Sequence, residues 1–370
     1  MCASAETAAE NTRPARPYTA GMTTTGGPGA RGAGQGAEPP TLAQLAELAG
    51  TSVATVSKVV NGRSEVSPAT RARVEELIRE RGFRRQKQTA KRAALIELVF
   101  HELEGAYAME IIKGVSAVAR QHGLAVVLSE SQGSHVPGRG WVEGVLQRRP
   151  TGVIAVFSEL TGEQSQQLAG RGIPTVLVDP TGEPGHAFPS VGAGNWNGGL
   201  LATRHLLELG HRRVAVIAGP AGVLSGRARL DGYRAALDAA GVPVDPALVR
   251  EGDFHVEDGL RHARALFALP EPPTAVFACN DLQALGVYRA AHEAGLRVPG
   301  QVSVVGFDDL PAAEWAVPAL TTVRQPLAEM GAAAVRMIVA LARGEALPQQ
   351  RVELPTTLVG RSSTAAPPAG

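Results

Sequence analysis

The chain has 370 residues, 44% of them hydrophobic and 19% charged, with a formal net charge of +1. This is enough chain for two or three domains with substantial cores, in a globular composition. No apolar run approaches the roughly 20 residues of a membrane span, and two cysteines, Cys2 and Cys279, exclude a disulfide scaffold and fit a reducing compartment.

Residues 1–40 are dominated by Ala, Gly, Thr and Pro, with few large apolar side chains. Such a segment cannot bury enough surface to offset its ordering entropy, so disorder is expected. It has no apolar stretch of the secretory kind, so a cytoplasmic location is expected, and Cys2 has no lipid-attachment context. Arg13, Arg16 and Arg31 offer charge to a polyanion; the simpler reading is an inert tail, with Met22 as a second initiation site.

Residues 41–61 read TLAQLAELAGTSVATVSKVVN. Leu42, Leu45, Ala46 and Ala49 fall on one helix face. Gly50 stops that helix and permits a tight turn, and Ser52 is placed to cap the next one. Val56, Val59 and Val60 give the second helix a buried side, while Thr55, Ser57 and Lys58 leave it a polar one. Two short helices about a Gly turn, the second rich in donors, form the helix-turn-helix layout that enters a DNA major groove. A third helix opens at Ser67-Pro68, Ser67 as cap and Pro68 at the first helical position, and runs to Gly82 over Val74, Leu77 and Ile78.

The string TLAQLAELAGTSVATVSKVVNG…VSPATRARVEELIRERGF resembles the DNA-binding headpiece of the lactose/galactose repressor (LacI/GalR) family. The resemblance implies double-stranded operator DNA as partner. It places Val53, Ala54 and Lys58 at base edges, where the first two offer apolar contact and Lys58 donates to guanine. Thr41, Thr55, Ser57 and Asn61 are placed for phosphates, and Ser52 at the helix start joins this DNA-facing set. Thr51 stands where a valine is common in the family, and Lys58 where an arginine is.

After the headpiece (41–83) the chain departs from the family pattern. Most members carry a Pro-Asn pair and a hinge helix whose leucine wedges into the minor groove. The linker here, 84–94, has neither; it is about four residues short, and five of the nine residues 84–92 are basic, Arg84 and Arg85 first. A linker of this kind is expected to add salt-sensitive phosphate attraction and little operator bending. Residues 41–92 carry 11 basic and 5 acidic side chains, or +6, so with a neutral tail the remainder of a +1 chain is near −5. A basic headpiece on an acidic body fits a nucleic-acid module joined to something else.

From residue 95 short apolar strands alternate with amphipathic helices. The strand-like runs are 95–100, 124–130, 152–157, 174–179, 213–219, 274–280 and 302–308. Helical patterns cover 109–121, 141–147, 161–169, 198–209, 225–240, 256–268 and 281–294, and Gly123, Gly210, Gly241 and Gly295 follow helices as stops. Apolar strands between helices predict α/β architecture with parallel sheets covered on both faces. Residues 179–196, rich in Pro and Gly, read as a loop crossing between two lobes.

HLLELGHRRVAVIAGP, SGRARLDGYRAAL, PPTAVFACNDLQALGVYRA, VPGQVSVVGFDDL and PALTTVRQPLAEMG resemble, in order, the family's periplasmic-binding-protein-like core. The resemblance implies an effector-binding and dimerisation core over 95–361, with lobe 1 about 95–192 and 325–343 and lobe 2 about 195–322 and 348–361. Three crossings are expected, near 190–196, 322–326 and 343–350. Ligand is expected at the carboxyl ends of the strands.

Arg229 matches an arginine that reaches sugar hydroxyls in the family, and Phe254 an aromatic that faces the ligand. Asn280 and Asp308 end their strands, and each offers a hydrogen-bonding fork. Gln325 lies at the second crossing, and Ser225, Arg227, Tyr107 and Trp196 complete the candidates. Asp281 and Asp309 read as helix caps, Trp141 and Trp315 as packing residues, and His205 and His211 as cations around a helix end. No P-loop, dinucleotide fingerprint, nucleophile elbow or metal-spaced His/Cys cluster occurs, so neither catalysis nor a cofactor or metal is expected. Residues 362–370 lack a heptad helix and are expected to be a disordered tail on a homodimer without membrane contact. The reading is a ligand-responsive repressor of carbohydrate genes acting on a pseudo-palindromic operator. A corepressor type sensing a non-sugar metabolite and a transport-type sugar-binding protein stand as the alternatives.

Overall fold

The computed structural model describes residues 40–60, 66–81, 92–103, 105–131, 134–181 and 188–368. The chain divides into two compact units, Met1–Gln88 and Thr89–Gly370. Expectations for the tail up to residue 39, for Asn61 and for Arg84 and Arg85 lie outside the described residues.

In the first unit, α1 (Leu42–Ala49) begins at Thr41. The Thr41 hydroxyl accepts from the Gln44 N–H, and Gln44 Oε1 accepts from the Thr41 N–H, so two orphan donors are satisfied reciprocally. Gly50, at φ 63°, closes the helix in the left-handed region where only glycine avoids a Cβ clash. Ser52 Oγ accepts from the Thr55 N–H at 3.1 Å and caps α2 (Val53–Val60). Ser67 does the same for α3 (Pro68–Arg81) through the Thr70 N–H at 3.3 Å. The three helices close over Leu45, Ala46, Val56, Val59 and Val74, with Leu77 and Ile78 half-buried at the rim. Each large side chain so buried contributes about 1.5–3 kcal/mol.

The second unit is a two-lobed α/β core. In chain order its first stretch is β1 (Ala93–Phe100), α4 (Gly105–Gln121), β2 (Ala125–Glu130), α5 (Arg139–Arg148), β3 (Pro150–Val156), α6 (Gly162–Gly170), β4 (Thr175–Val178) and β5 (Ser190–Ala193). Then come α7 (Asn195–Glu208), β6 (Val214–Ala218), α8 (Leu224–Ala239), β7 (Val249–Glu251), α9 (Val256–Phe267), β8 (Ala275–Ala278) and α10 (Asp281–Glu293). The last are β9 (Ser303–Asp308), α11 (Pro311–Trp315), β10 (Thr321–Arg324), α12 (Leu327–Ala342), β11 (Arg351–Leu354) and β12 (Thr357–Val359).

Lobe 1 holds an all-parallel sheet in the order β11-β5-β4-β3-β1-β2. Lobe 2 holds the order β12-β10-β9-β8-β6-β7, antiparallel only at its β12 edge. The central strands are continuous buried runs, as parallel sheets covered on both faces require. The chain crosses between lobes at Gly194, at Gln325-Pro326 and at Pro355-Thr356. The third crossing is displaced from the expected 343–350, because β11 first pairs with β5 in lobe 1. The expected loop 179–196 is also corrected: it contains β5, four residues whose alternation is too short to register in the sequence.

Gly199 of α7 and Gly232 of α8 bring two helix backbones together; a Cβ on Gly199 would overlap the Arg229 carbonyl. That close approach sets Arg229 against the first turn of α7. The expected disordered tail at 362–370 is corrected as far as residue 365. Ser363 is fully buried, its Oγ accepting from the Thr321 N–H at 2.7 Å and its carbonyl from the Val304 N–H at 2.9 Å. His205 and His211 hold the next two residues, through Thr364 Oγ1 and the Ala365 carbonyl, each at 2.9 Å. Burial lowers the pKa of both imidazoles, so they serve as neutral hydrogen-bonding groups and not as helix-end cations.

Candidate functional site

The carboxyl ends of both parallel sheets face one cleft of about 240 Å³. Lobe 1 contributes Phe100, His101, Glu102, Tyr107, Phe157 and Asp179, and lobe 2 contributes Ser225, Arg229, Phe254, Asn280 and Asp308, among others. Arg229 is its centre, 4% exposed. Its Nε donates to Asn195 Oδ1 at 2.8 Å and one terminal nitrogen to the Cys279 carbonyl at 2.6 Å. The same nitrogen lies 3.7 Å from Asp308 Oδ1, and the guanidinium carbon sits 3.8 Å from the Phe307 ring centre. A planar cation fixed on three sides presents its remaining donors in one direction.

Asp308 accepts from Gln325 Nε2 at 2.6 Å, so the floor of the cleft is bonded to the second crossing between the lobes. Gln325 does not itself line the cleft; it is buried behind Asp308. On the opposite wall Tyr107 donates to Asp179 at 2.7 Å. Burial is the main cause of the raised carboxyl pKa of Asp308, about 7, with Arg229 and Gln325 opposing it. Burial likewise raises the carboxyl of Asp179 against the Tyr107 hydrogen bond and Arg229, and burial beside Asp179 raises the Tyr107 phenol.

Four residues of the cleft, Phe157, Asp179, Phe254 and Asp308, hold φ of 51°, 46°, 66° and 113°. Non-glycine residues there cost about 1–3 kcal/mol each and persist where the surroundings over-determine them. Here they aim side chains from strand ends into the cleft. Asn280 departs from expectation in detail. Its Oδ1 caps α10 through the Gln283 N–H, and its Nδ2 donates to the Phe254 carbonyl at 2.7 Å. Both ends of its amide are thus engaged, one in capping α10 and the other in holding Phe254, whose ring lies 6.1 Å from that of Phe157 between centres.

The caps expected at Asp281 and Asp309 are corrected: Asn280 caps α10, and α11 starts after Leu310 without a side-chain cap. Asp281 is fully buried under the cleft, accepting from Thr322 Oγ1 and the Leu310 N–H. Asp309 binds Arg324 and Arg361, each at 2.6 Å. Trp315, read as packing, is 75% exposed. Ser225 and Tyr107 line the cleft; Arg227 and Trp196 do not. Sequence reasoning missed Asp179, Phe157, Asn195 and the mouth residues His101, Glu102 and His255. Asp179 ends its strand as Asp308 does, so the same argument could have found it; the aromatic and mouth residues carried no such signal.

In the headpiece, Val53, Ala54 and Lys58 are exposed on one side of α2, while Val56 and Val59 face the core. The Thr41 and Ser52 hydroxyls are engaged as helix caps, and Thr55 and Ser57 are half-buried. That face, two small apolar side chains and one cation, is presented by the second helix of a capped helix-turn-helix, the element that enters a major groove.

Residues 41–86 match the bacterial regulatory proteins of the lacI family, and residues 203–364 match the periplasmic binding protein-like domain. The chain is 37% identical over 337 residues to the HTH-type transcriptional regulator CelR of Thermobifida fusca, covering 88% of this chain and 98% of CelR. The chain belongs to the lacI family. The ribose operon repressor of Escherichia coli K12 is 32% identical, over 87% of this chain and 99% of that one. Among solved structures, the CelR–cellobiose complex superposes with a TM-score of 0.67 at 36% identity, covering 88% of this chain and 99% of its own. The Lac repressor dimer bound to operator and the anti-inducer ONPF gives 0.66 at 32% identity, covering 89% and 100%. As a lacI-family member this chain is a ligand-responsive, DNA-binding transcriptional regulator. Among the described residues no helix is long and apolar enough to cross a membrane.

Proposed function

We propose that this lacI-family regulator is a cytoplasmic homodimer that represses carbohydrate-utilisation genes and is released from its operator by a neutral sugar. The observation that carries this is the arrangement around Arg229: a fixed guanidinium between two buried carboxylates, Asp179 and Asp308, walled by Phe157 and Phe254. Sugar hydroxyls are matched by such forks, and a pyranose face by the rings. The cleft acts by binding, without turnover.

Both lobes contribute to the cleft, so a ligand touching both favours the closed arrangement, and Gln325 ties Asp308 to one of the connecting segments. Release requires that the ligand bind the DNA-free state more tightly, by the coupling free energy itself. A thermal-shift screen against cellobiose, xylobiose, monosaccharides and purine bases tests this. Cellobiose comes first because of the CelR complex. A ligand at 100 times its dissociation constant adds about 2.7 kcal/mol, a midpoint rise of a few degrees for a body of this size. A neutral sugar that raises the midpoint and weakens operator binding is the expected result. A ligand that tightens operator binding would instead make the protein a corepressor type.

The dimer is supported by large apolar side chains left exposed on both lobes. Trp315 and Val317 of lobe 2 are 75% and 91% exposed, and Met109 of lobe 1 is 53% exposed. Such residues mark interaction surfaces, and two headpieces about a twofold read a pseudo-palindrome. The double variant Trp315→Asp/Val317→Asp is expected to sediment with a raised dimer dissociation constant and to bind operator more weakly. An unchanged dimer in sedimentation velocity would remove this face from the interface.

A further inference from the structure

All strands of lobe 1 run parallel, so their amino ends and the carboxyl ends of its helices share one base, opposite the cleft. Arg92, the residue before β1, lies at this base and donates to the Ala342 and Gly172 carbonyls at 3.0 and 2.6 Å. Arginines recur at the base: Arg120 near the end of α4, Arg149 after α5, Arg171 after α6 and Arg343 after α12. All of them are exposed. The acids at this end, among the described residues, are Glu97 and Glu345. Glu97 is fully buried against Arg148, and Glu345 lies 3.9 Å from Arg343. Arg120, Arg149 and Arg171 enter no ion pair among the described residues.

A cation at a helix carboxyl end is favoured by the helix dipole alone. Lobe 2 controls for that, having the same construction. Its base carries Glu208, Asp245, Glu271 and Glu293, which pair with Arg204, Arg213 and Arg264: Arg213 with Asp245 at 3.3 Å, Arg264 with Glu293 at 2.6 Å, Arg204 with Glu208 at 3.5 Å, while Arg212 and Arg297 enter no ion pair among the described residues. The dipole argument predicts equal bases and the molecule has unequal ones. A second observation is local. Arg149 closes α5 at φ 50°, a left-handed position that other helix ends of this lobe give to Gly123 and Gly344. An arginine is kept there despite the steric cost to its Cβ.

We propose that the base of lobe 1 binds the DNA phosphate backbone, through Arg120, Arg149 and Arg171, as a sequence-independent clamp. The proposal rests on the DNA-binding reading above. The occupant is chosen by charge and by chain order: three exposed arginines without an ion pair among the described residues complement a polyanion, and in sequence the DNA-reading unit directly precedes β1, which starts at this base. The clamp supplies positioning contacts and carries no sequence information.

The test uses the full-length chain and a duplex it recovers from a randomised pool. Binding is followed by fluorescence anisotropy across a salt series. The combined variant Arg120→Ala/Arg149→Ala/Arg171→Ala is expected to bind about tenfold or more weakly, with a salt slope lower by about two to three. Its thermal midpoint should match wild type, and the corresponding triple lysine variant should restore the slope. A control with the same charge change on lobe 2, Arg204→Ala/Arg234→Ala/Arg289→Ala, should leave both quantities unchanged. A wild-type slope in the alanine variant overturns the clamp while leaving the regulator reading intact. An equal loss in the lobe 2 control also overturns it, by reducing the effect to the general field of the protein. A wild-type chain that binds no duplex at all fails the underlying reading as well.

Discussion

Replacing Arg229 with alanine is expected to leave operator binding in place and to abolish its response to the ligand. Arg229 is the one group of the cleft bonded to α7, to the strand end at Cys279 and to Asp308 together. Truncating it removes the donors that face the ligand and takes the partner from Asn195 Oδ1 and from the Cys279 carbonyl. It also strips a buried cation from two buried carboxylates, a change that costs about 3–5 kcal/mol when the charge stays buried. Asp179 and Asp308 would answer by taking up protons, which limits the loss. The fold is therefore checked by thermal melting, and the softer variant Arg229→Lys is measured beside it. Lysine keeps the charge but not the fork, so partial ligand affinity is expected. The decisive readout is operator anisotropy with and without saturating sugar. Full release in a folded Arg229→Ala variant would remove the residue from the effector site.

What the sequence made legible divides along a physical line. The headpiece was readable in detail because its determinants are local: Ser52 and Ser67 cap helices within three residues of themselves, and Gly50 turns the chain at one position, although the cap at Thr41 was not read. The long buried strands were readable because parallel sheets demand continuous apolar runs. Strands such as β5 and β11 were not, since four residues carry no period, and their identity depends on each other across the sheet through pairs such as Arg351 with Ser190. For the same reason the third crossing was misplaced.

The site shows the same division. Asp308 and Asn280 stood out because a polar residue ends an apolar strand. Yet which polar atoms remain for a ligand was decided by tertiary partners, and Asn280 spends its amide on Phe254 and on α10. Phe157 could not be read as a cleft residue, because its orientation comes from a backbone φ of 51° that sequence does not announce. The docked segment after β12 was hidden by its composition. Ser362-Ser363-Thr364 looks like solvent-facing chain until His211, Thr321 and Val304 are placed beside it.

The second large effect concerns pH. Asp308 is 5% exposed, and its carboxyl is raised to about 7, burial outweighing the opposing Arg229 and Gln325. In the unfolded chain an aspartate titrates near 3.9. Between those values the folded state binds the proton and the unfolded state does not, so this group's contribution to stability is complete below about pH 4 and is lost as pH rises through about 7. A difference of this size corresponds to a few kcal/mol at most. Asp308→Asn carries a neutral group at all pH values, so its unfolding midpoint in urea is expected to fall less than that of wild type from about pH 5 to about pH 8. The slope should shrink without vanishing, because Asp179 and Asp281 are raised by burial in the same direction. Surface acids such as Glu293, lowered by Arg264, act with the opposite sign and in a more acidic window, so they do not mask the effect. The same variant separates stability from recognition. If the ionised carboxylate accepts sugar hydroxyls, wild-type affinity should rise as pH passes about 7 and the asparagine variant should show no such step. Identical pH slopes in both proteins would mean that the Asp308 carboxyl stays ionised in the cleft, with Arg229 and not burial setting its charge.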